Sequence, residues 1–594
     1  MEIISEICAI MIGIIFITLS KSAGTPCILE KLLSIPPSST PPGNTRRKAL
    51  GKKGLLYPEQ FHSSEALEIQ MRKNIMMMRF HKRDLIPLSI FLLMITSTIL
   101  VSCQGSQGST NRVAPPETWP TRGWQTSTPE EQGLDSAGLA DALLAMKEQG
   151  INIHNLLIIR NGKILLDAVF YPYDGKVPHE VASVTKSIMT TLIGIAAGQG
   201  KLDPDQAMVS YFPNRSIANL DADKQKITLR HLASLSSGLD SAGVSDNEGT
   251  LAEMVASLDY VKFALDRKVV SEPGKHFVYD SPSMHLLSAI LQEATGMTTE
   301  EFARQNLLEP LGIEKYIWPA DPQGVSYGWS ETYFFPQDIA KIGLLFLNNG
   351  AWNGQQIVPQ EWVEQATRIQ AETGTGDDYG YGWWIYPGEP ASYGAFGRGG
   401  QYLRIAPSLN LMVVAVGSGY EWDQIEPLIL PALVDMEKPL PANPAGTQKL
   451  QEALAAIQQP PDPQPVAPLP PTAARISGAT YAMQPNPLGI ETMRLDFDDS
   501  AEASMLMTFT DYPEGFPSKI GLDGVYRMSP GEFGHPAGQR GYWADEETFV
   551  LELDRISNHN AYVMQMRFDG DQVEITASER SRSGSELIKG RVQN

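Results

Sequence analysis

The sequence predicts an α/β (α+β) domain followed by a small all-β domain, both behind a leader that does not belong to the fold. Three observations carry this. From Trp119 to about Met436, helical and strand periods of hydrophobicity alternate. Residues 437–475 then become dense in proline, which neither a helix interior nor a central strand tolerates. From Ile476 to the end, short alternating runs are separated by turn signals. A chain of 594 residues is long enough for two or three domains of this kind.

The leader has its own signature. Residues 1–70 hold one apolar run, Ile3 to Leu19, preceded by acidic residues, and then a stretch rich in Pro, Ser and Lys without periodicity. This segment is expected to be a non-native upstream extension or disordered, with translation starting at Met71 or within Met76–Met78. N-terminal peptides from residues 1–70 in a digest would refute that. Residues 71–102 read as a secretory signal: Met78-Arg-Phe-His-Lys-Arg83 is basic, and Leu85 to Leu100 is apolar. Leu100-Val-Ser-Cys103 resembles a bacterial lipobox, which implies a lipid on Cys103, a polar tether over 103–118 and anchorage in the cell envelope. A plain transmembrane anchor is the alternative reading of the same run.

Composition excludes several functions. Lys and Arg number 47 against 68 Asp and Glu, a net charge of −21, and no cluster of cations follows the leader, so nucleic acid is not an expected partner. Three cysteines cannot build a disulfide framework. The nine histidines form no HxxxH or HxH pair and there is no CxxC, so no metal site and no cofactor is expected.

Within the first domain, Leu156–Arg160 and Ile164–Phe170 read as a hairpin turning at Asn161-Gly-Lys163. Ser183 to Ala197 reads as a helix, because Val184, Ile188, Leu192 and Ile195 recur at three- and four-residue spacing. Gly394 to Ile405 and Leu411 to Val416 read as two antiparallel strands around Pro407-Ser-Leu-Asn410. One amphipathic helix, Thr447 to Gln458, is expected inside the proline-rich linker. In the last domain, Thr548–Leu553, Tyr562–Phe568 and Gln572–Ile575 read as strands, with Asp569-Gly570 as a hairpin turn.

Three motifs carry chemistry. Ser183-Val-Thr-Lys186 places a hydroxyl and an amine one turn apart on one helix face, at the end whose field favours developing negative charge. The lysine can take the hydroxyl proton only if burial or a second cation lowers its affinity for protons. A helix-capping serine followed by a solvated lysine has the same spelling. In Pro273-Gly-Lys-His-Phe-Val-Tyr279-Asp-Ser281, a phenol at a loop–helix junction can relay a proton to a leaving group, or simply pack there. In Gly394-Ala-Phe-Gly-Arg398-Gly399-Gly400-Gln401, glycines inside a strand let a ligand lie along its edge beside Arg398; a glycine-rich edge loop is the plainer reading.

In this order and spacing the motifs resemble the serine β-lactamase-related superfamily, which contains class C β-lactamases, DD-peptidases, certain esterases and 6-aminohexanoate-dimer hydrolases. Supporting text includes Ile227–Leu239, Gln337–Gly350 and Tyr379-Gly-Tyr-Gly-Trp-Trp384. The resemblance implies an antiparallel central sheet flanked by helices, with a helical lobe carrying the Ser-x-x-Lys helix. It implies Ser183 as the acylated nucleophile, Lys186 as its base, Tyr279 as proton relay and Ser281 as a hydrogen-bond partner. Arg398 takes the place of the third-motif lysine, and the amides of Ser183 and Gln401, just past Gly399 and Gly400, form the oxyanion hole. Ser281 in place of asparagine and Arg398 in place of lysine favour a small ester or amide over a β-lactam, with Arg398 available to a substrate carboxylate. The rival readings are a cell-wall DD-peptidase or weak β-lactamase, and a catalytically silent binding lipoprotein.

Overall fold

The computed structural model describes residues 115–241, 247–498, 501–582 and 584–593. The leader, including Cys103, lies outside the described residues. Among the described residues no helix is long and apolar enough to cross a membrane.

The first domain is built on one eight-stranded sheet. Its strands are β1 (Gln125–Thr126), β2 (Ile153–Arg160), β3 (Lys163–Val169), β4 (Asp378–Tyr379), β5 (Trp384–Tyr386), β6 (Ser392–Gly397), β7 (Gln401–Ala406) and β8 (Leu411–Gly417). They lie in the order β1-β3-β2-β8-β7-β6-β5-β4, antiparallel except for the β1–β3 pair. Alternation along the strands divides the apolar residues between two cores. Leu157, Ile159, Leu403, Ile405, Met412 and Val414 face the helical lobe, with helix α3 (Ser281–Thr295) inside it and α4 (Pro336–Leu347) on the sheet. Leu156, Ile158, Tyr402, Val413 and Ala415 face α1 (Ser136–Glu148) and α5 (Pro444–Ile457). Helix α2 (Val184–Gly198) is buried on nearly every side, so beside its apolar stripe the polar Thr185, Ser187, Thr190 and Thr191 are buried too and find hydrogen-bond partners inside the protein.

The helix expected inside the linker is therefore part of the first domain. Leu450, Ala453 and Ile457 of α5 join the core formed with α1, and Lys449 pairs with Asp141 across the two helices. Asn443 caps α5 and also bonds Asp135, the cap of α1, at 3.3 Å. The extended connection shrinks to residues 458–470, after which the short helix Pro471–Ile476 packs into the second domain.

That domain has ten strands: β9 (Thr480–Met483), β10 (Ile490–Phe497), β11 (Glu502–Phe509), β12 (Tyr512–Gly521), β13 (Arg527–Pro530), β14 (Pro536–Trp543), β15 (Thr548–Asp554), β16 (Ala561–Asp569), β17 (Gln572–Glu579) and β18 (Glu586–Val592). A pairing of Gly521 with Arg540 joins β12 to β14, so the sheet curls towards a barrel around Met493, Met566, Phe549 and Phe568.

The structure also corrects the reading of the third motif. Gly394 to Ile405 is not one strand: β6 and β7 form a hairpin pairing Gly397 with Gln401 across the turn Arg398-Gly399-Gly400. Gly399 and Gly400 have φ of +79° and +102°, and a Cβ on Gly400 would stand 2.3 Å from the buried Tyr420 ring. Gly400 thus serves a turn and a close protein contact, while Gly397 and Gly399 stay on the wall of the cavity described below. Gly400→Ala is expected to destabilise the protein by ~2–4 kcal/mol, from positive-φ strain plus overpacking. A urea midpoint unchanged from the parent would contradict this.

Candidate active site

Helix α2 starts at Val184 with Ser183 as its N-cap residue, yet the Ser183 hydroxyl makes no capping bond to the helix. The Lys186 Nζ donates to it at 2.9 Å, and also to the Trp329 carbonyl at 2.9 Å. Lys186 is 1% exposed and stands 4.8 Å from the centre of the Tyr279 ring. Burial lowers its pKa to about 7, against a weaker opposing pull from Asp280. No carboxylate is within ion-pair distance of Lys186 among the described residues. Arg267 occupies Asp280 instead, in a bidentate pair at 2.8 and 2.9 Å.

Tyr279 stacks on Trp384, ring centres 6.0 Å apart and 18° from parallel. Burial pushes its phenol up to about 12, with a hydrogen bond to Ser183 acting against that rise. Ser281, buried at the first turn of α3, lines the same cavity as Ser183 and Tyr279. The cavity measures about 450 Å³, with Trp329, Trp384 and Phe396 among its walls.

Arg398 and Gly399 reach this cavity from the β6–β7 turn. The Arg398 guanidinium is already committed: it donates to Glu579 at 2.9 Å, to Ser581 at 3.3 Å and to Asn560 at 3.2 Å, and it contacts the His559 imidazole. The carboxylate expected of a substrate is thus supplied by the second domain. Gly400 packs against Tyr420, and Gln401 is fully buried, its amide nitrogen donating to the Gly417 carbonyl at 2.7 Å. The Gln401 side chain is structural, so only its backbone is left for a role towards substrate.

Three residues that organise the cavity were not legible as site residues. Glu180 is fully buried, and its Oε1 accepts from the amides of Ala182 at 3.0 Å and Glu331 at 3.1 Å. Both of those residues have left-handed backbones, φ +46° and +64°. One carboxylate therefore holds the strained residue before Ser183 and the strained residue on the opposite wall. Its Oε2 meets His559 Nδ1. Burial opposes ionisation of Glu180, but His559, Arg398 and the Ala182 amide outweigh it and hold the carboxyl below its usual range. His559, Ser581 and Arg582 line the cavity from the second domain. Glu331 lines it from the opposite wall. Burial and the carboxylates of Glu180 and Glu532 push it up to about 7. The only local signal for Glu180 was an acidic residue three places before Ser183.

Among the described residues no cluster of His, Cys, Asp and Glu is arranged to hold a metal ion. A hydroxyl at a helix start, held by a buried amine and overlooked by a phenol, defines a site suited to acyl transfer. Residues 139–432 match the Beta-lactamase family model, which identifies this segment with the serine β-lactamase-related superfamily and supports a hydrolase. It is 22% identical over 284 residues to 6-aminohexanoate-dimer hydrolase of Paenarthrobacter ureafaciens, covering 44% of this chain and 71% of that protein. It is 22% identical over 201 residues to penicillin-binding protein 4* of Bacillus subtilis, covering 27% and 43%. Among solved structures, a 6-aminohexanoate-dimer hydrolase from Bacillus anthracis, titled putative, aligns over 58% of this chain and 88% of its own at 17% identity, TM-score 0.43.

Proposed function

We propose that the protein is a serine hydrolase that forms an acyl-enzyme on Ser183 and hydrolyses small esters or amides. The observation that carries this reading is the Lys186 amine, buried, without a counter-ion among the described residues, and 2.9 Å from the Ser183 oxygen. A lysine so placed is neutral above about pH 7 and able to take the hydroxyl proton as Ser183 attacks the carbonyl carbon. Tyr279, beside both, passes a proton to the leaving alcohol or amine, and water then releases the acid from the ester. The amides of Ser183 and Gln401 are the donors for the developing oxyanion, a role typically worth ~10²–10³ in rate each.

Loops of the second domain line the cavity with His559, Ser581 and Arg582 and occupy Arg398. This favours a small substrate over a cross-linked cell-wall polymer, and so supports the esterase or amidase reading above the DD-peptidase one. A fluorophosphonate probe is expected to label Ser183, and p-nitrophenyl esters to be hydrolysed by the parent but not by Ser183→Ala. Equal rates for the two would end the proposal.

A further inference from the structure

A second cavity, of about 360 Å³, lies on the sheet face that carries Tyr402, between β2, β7 and β8 and the helix Trp422–Ile429. Its volume falls within the ~300–1,000 Å³ typical of ligand sites. Its floor is a cross-strand row, Ile158–Val413–Arg404, of residues paired on neighbouring strands and therefore on one face, with Gly394 the next residue along the row. Leu411, Ile429 and Leu433 extend the apolar lining.

The polar groups in this lining are unusual. Arg404 stands in that row between Val413 and a glycine, its guanidinium 3.3 Å from the centre of the Tyr386 ring. No carboxylate comes within ion-pair distance of it among the described residues. Glu389 and Glu426 also line the cavity; Glu426, and Asp377 outside it, act on Arg404 only through their fields. The Trp422 Nε1 is a buried donor without a hydrogen-bond partner, the Tyr386 hydroxyl beside Arg404 meets no acceptor for its own proton, and both residues line the cavity. A cation in an aliphatic row and two unmet buried donors each cost free energy unless an acceptor arrives.

We propose that this cavity is a binding site for a monocarboxylate with a hydrocarbon body, the carboxylate received by Arg404, Tyr386 and Trp422 and the body by the aliphatic floor. Guanidinium and carboxylate match in charge and geometry. An alcohol would satisfy the two neutral donors but leave Arg404 as it was, and an ammonium would turn to Glu389 or Glu426 and bring no acceptor to Arg404, Tyr386 or Trp422. The site is distinct from the catalytic cavity: Phe396 and Tyr402 form the wall between them, packing on Tyr386 and Trp422 at centre distances of 5.7 and 5.4 Å.

Titration calorimetry with octanoate, octan-1-ol and octylamine tests this on the full chain. Octanoate is expected to bind at least ~10-fold more tightly than either analogue, and Arg404→Met to weaken it by ~10–100-fold, the range of a charge-assisted bond. Trp422→Phe, which keeps the ring shape and removes one donor, should weaken it by a few-fold (~1 kcal/mol or less). Ser183→Trp, which fills the catalytic cavity, should leave octanoate binding intact. The proposal is overturned if octanoate does not bind, if octan-1-ol binds equally well, or if Arg404→Met and Trp422→Phe leave the affinity as it was. It is also overturned if Ser183→Trp abolishes binding, because the ligand then sits in the catalytic cavity.

Discussion

Lys186→Met is expected to lower kcat/KM on a p-nitrophenyl ester by ~10³-fold or more while making the protein more stable near pH 6. The activity loss follows from removing the amine beside the Ser183 oxygen, since general-base assistance is typically worth ~10²–10⁴. The stability gain follows from linkage. Lys186 has a folded pKa of about 7 against 10.5 for the free side chain. The unfolded chain therefore binds the proton more tightly, and the burden on the folded state is greatest below pH 7 and fades as pH rises to 10.5. The full burden is about 5 kcal/mol, from which the Trp329 carbonyl left without its donor subtracts ~1–3. A gain of ~2–4 kcal/mol at pH 6, falling to zero between about pH 8 and 10, is the expected signature in urea titrations at several pH values. In the parent, kcat/KM should rise with pH through a midpoint near 7, because the neutral amine is the active form. A parent profile flat from pH 6 to 8, or a variant retaining a tenth of the activity, would remove Lys186 from the proton path.

The pairing of stability cost with function explains which parts of the site could be read from the sequence. Ser183 and Lys186 are one helical turn apart, and Tyr279 and Ser281 share one loop–helix junction, so their proximity is a local property that spacing encodes. The β2–β3 hairpin, α2 and the β15–β17 meander were legible for the same reason: their hydrophobic periods and turn residues are local. The β6–β7 turn was not. Its glycines carry the same letters whether they admit a ligand or a neighbouring protein surface, and only the presence of Tyr420 and His559 against them decides. The reach of α5 back to α1 was hidden by the prolines around it, which mark a break in the chain but not where the helix between them docks. His559 and Glu180 lie 379 residues apart, and no periodicity reports such a contact. The role read for Arg398 was incomplete because its partner, Glu579, belongs to a domain whose sequence carries no catalytic motif.

Glu180 is where that long-range organisation can be broken most sharply. Its side chain touches neither Ser183 nor the cavity surface, so it acts as a positioning residue. Glu180→Ala would leave the amides of Ala182 and Glu331 unpaired at two left-handed positions, and His559 without its acceptor. Removing one partner from a buried charged network typically costs ~3–5 kcal/mol. The backbone turn that aims Ser183 should relax with it, lowering kcat by ~10²-fold with a smaller change in KM, because substrate walls such as Trp384 and Phe396 stay in place. Glu180→Gln separates the two effects. Its carbonyl oxygen can still accept from both amides, although its NH2 then opposes the imidazole N–H that Glu180 accepts, so part of the lost kcat should return. The pH dependence has a defined sign as well. A carboxyl held below its usual range contributes stability above the unfolded pKa of about 4.5, and that contribution is lost as pH falls towards the folded value. The parent should therefore lose stability in this acid range more steeply than Glu180→Gln, as read from urea midpoints between pH 6 and 3. If Glu180→Ala and Glu180→Gln match the parent in kcat, the turn before Ser183 is held by something other than this carboxylate.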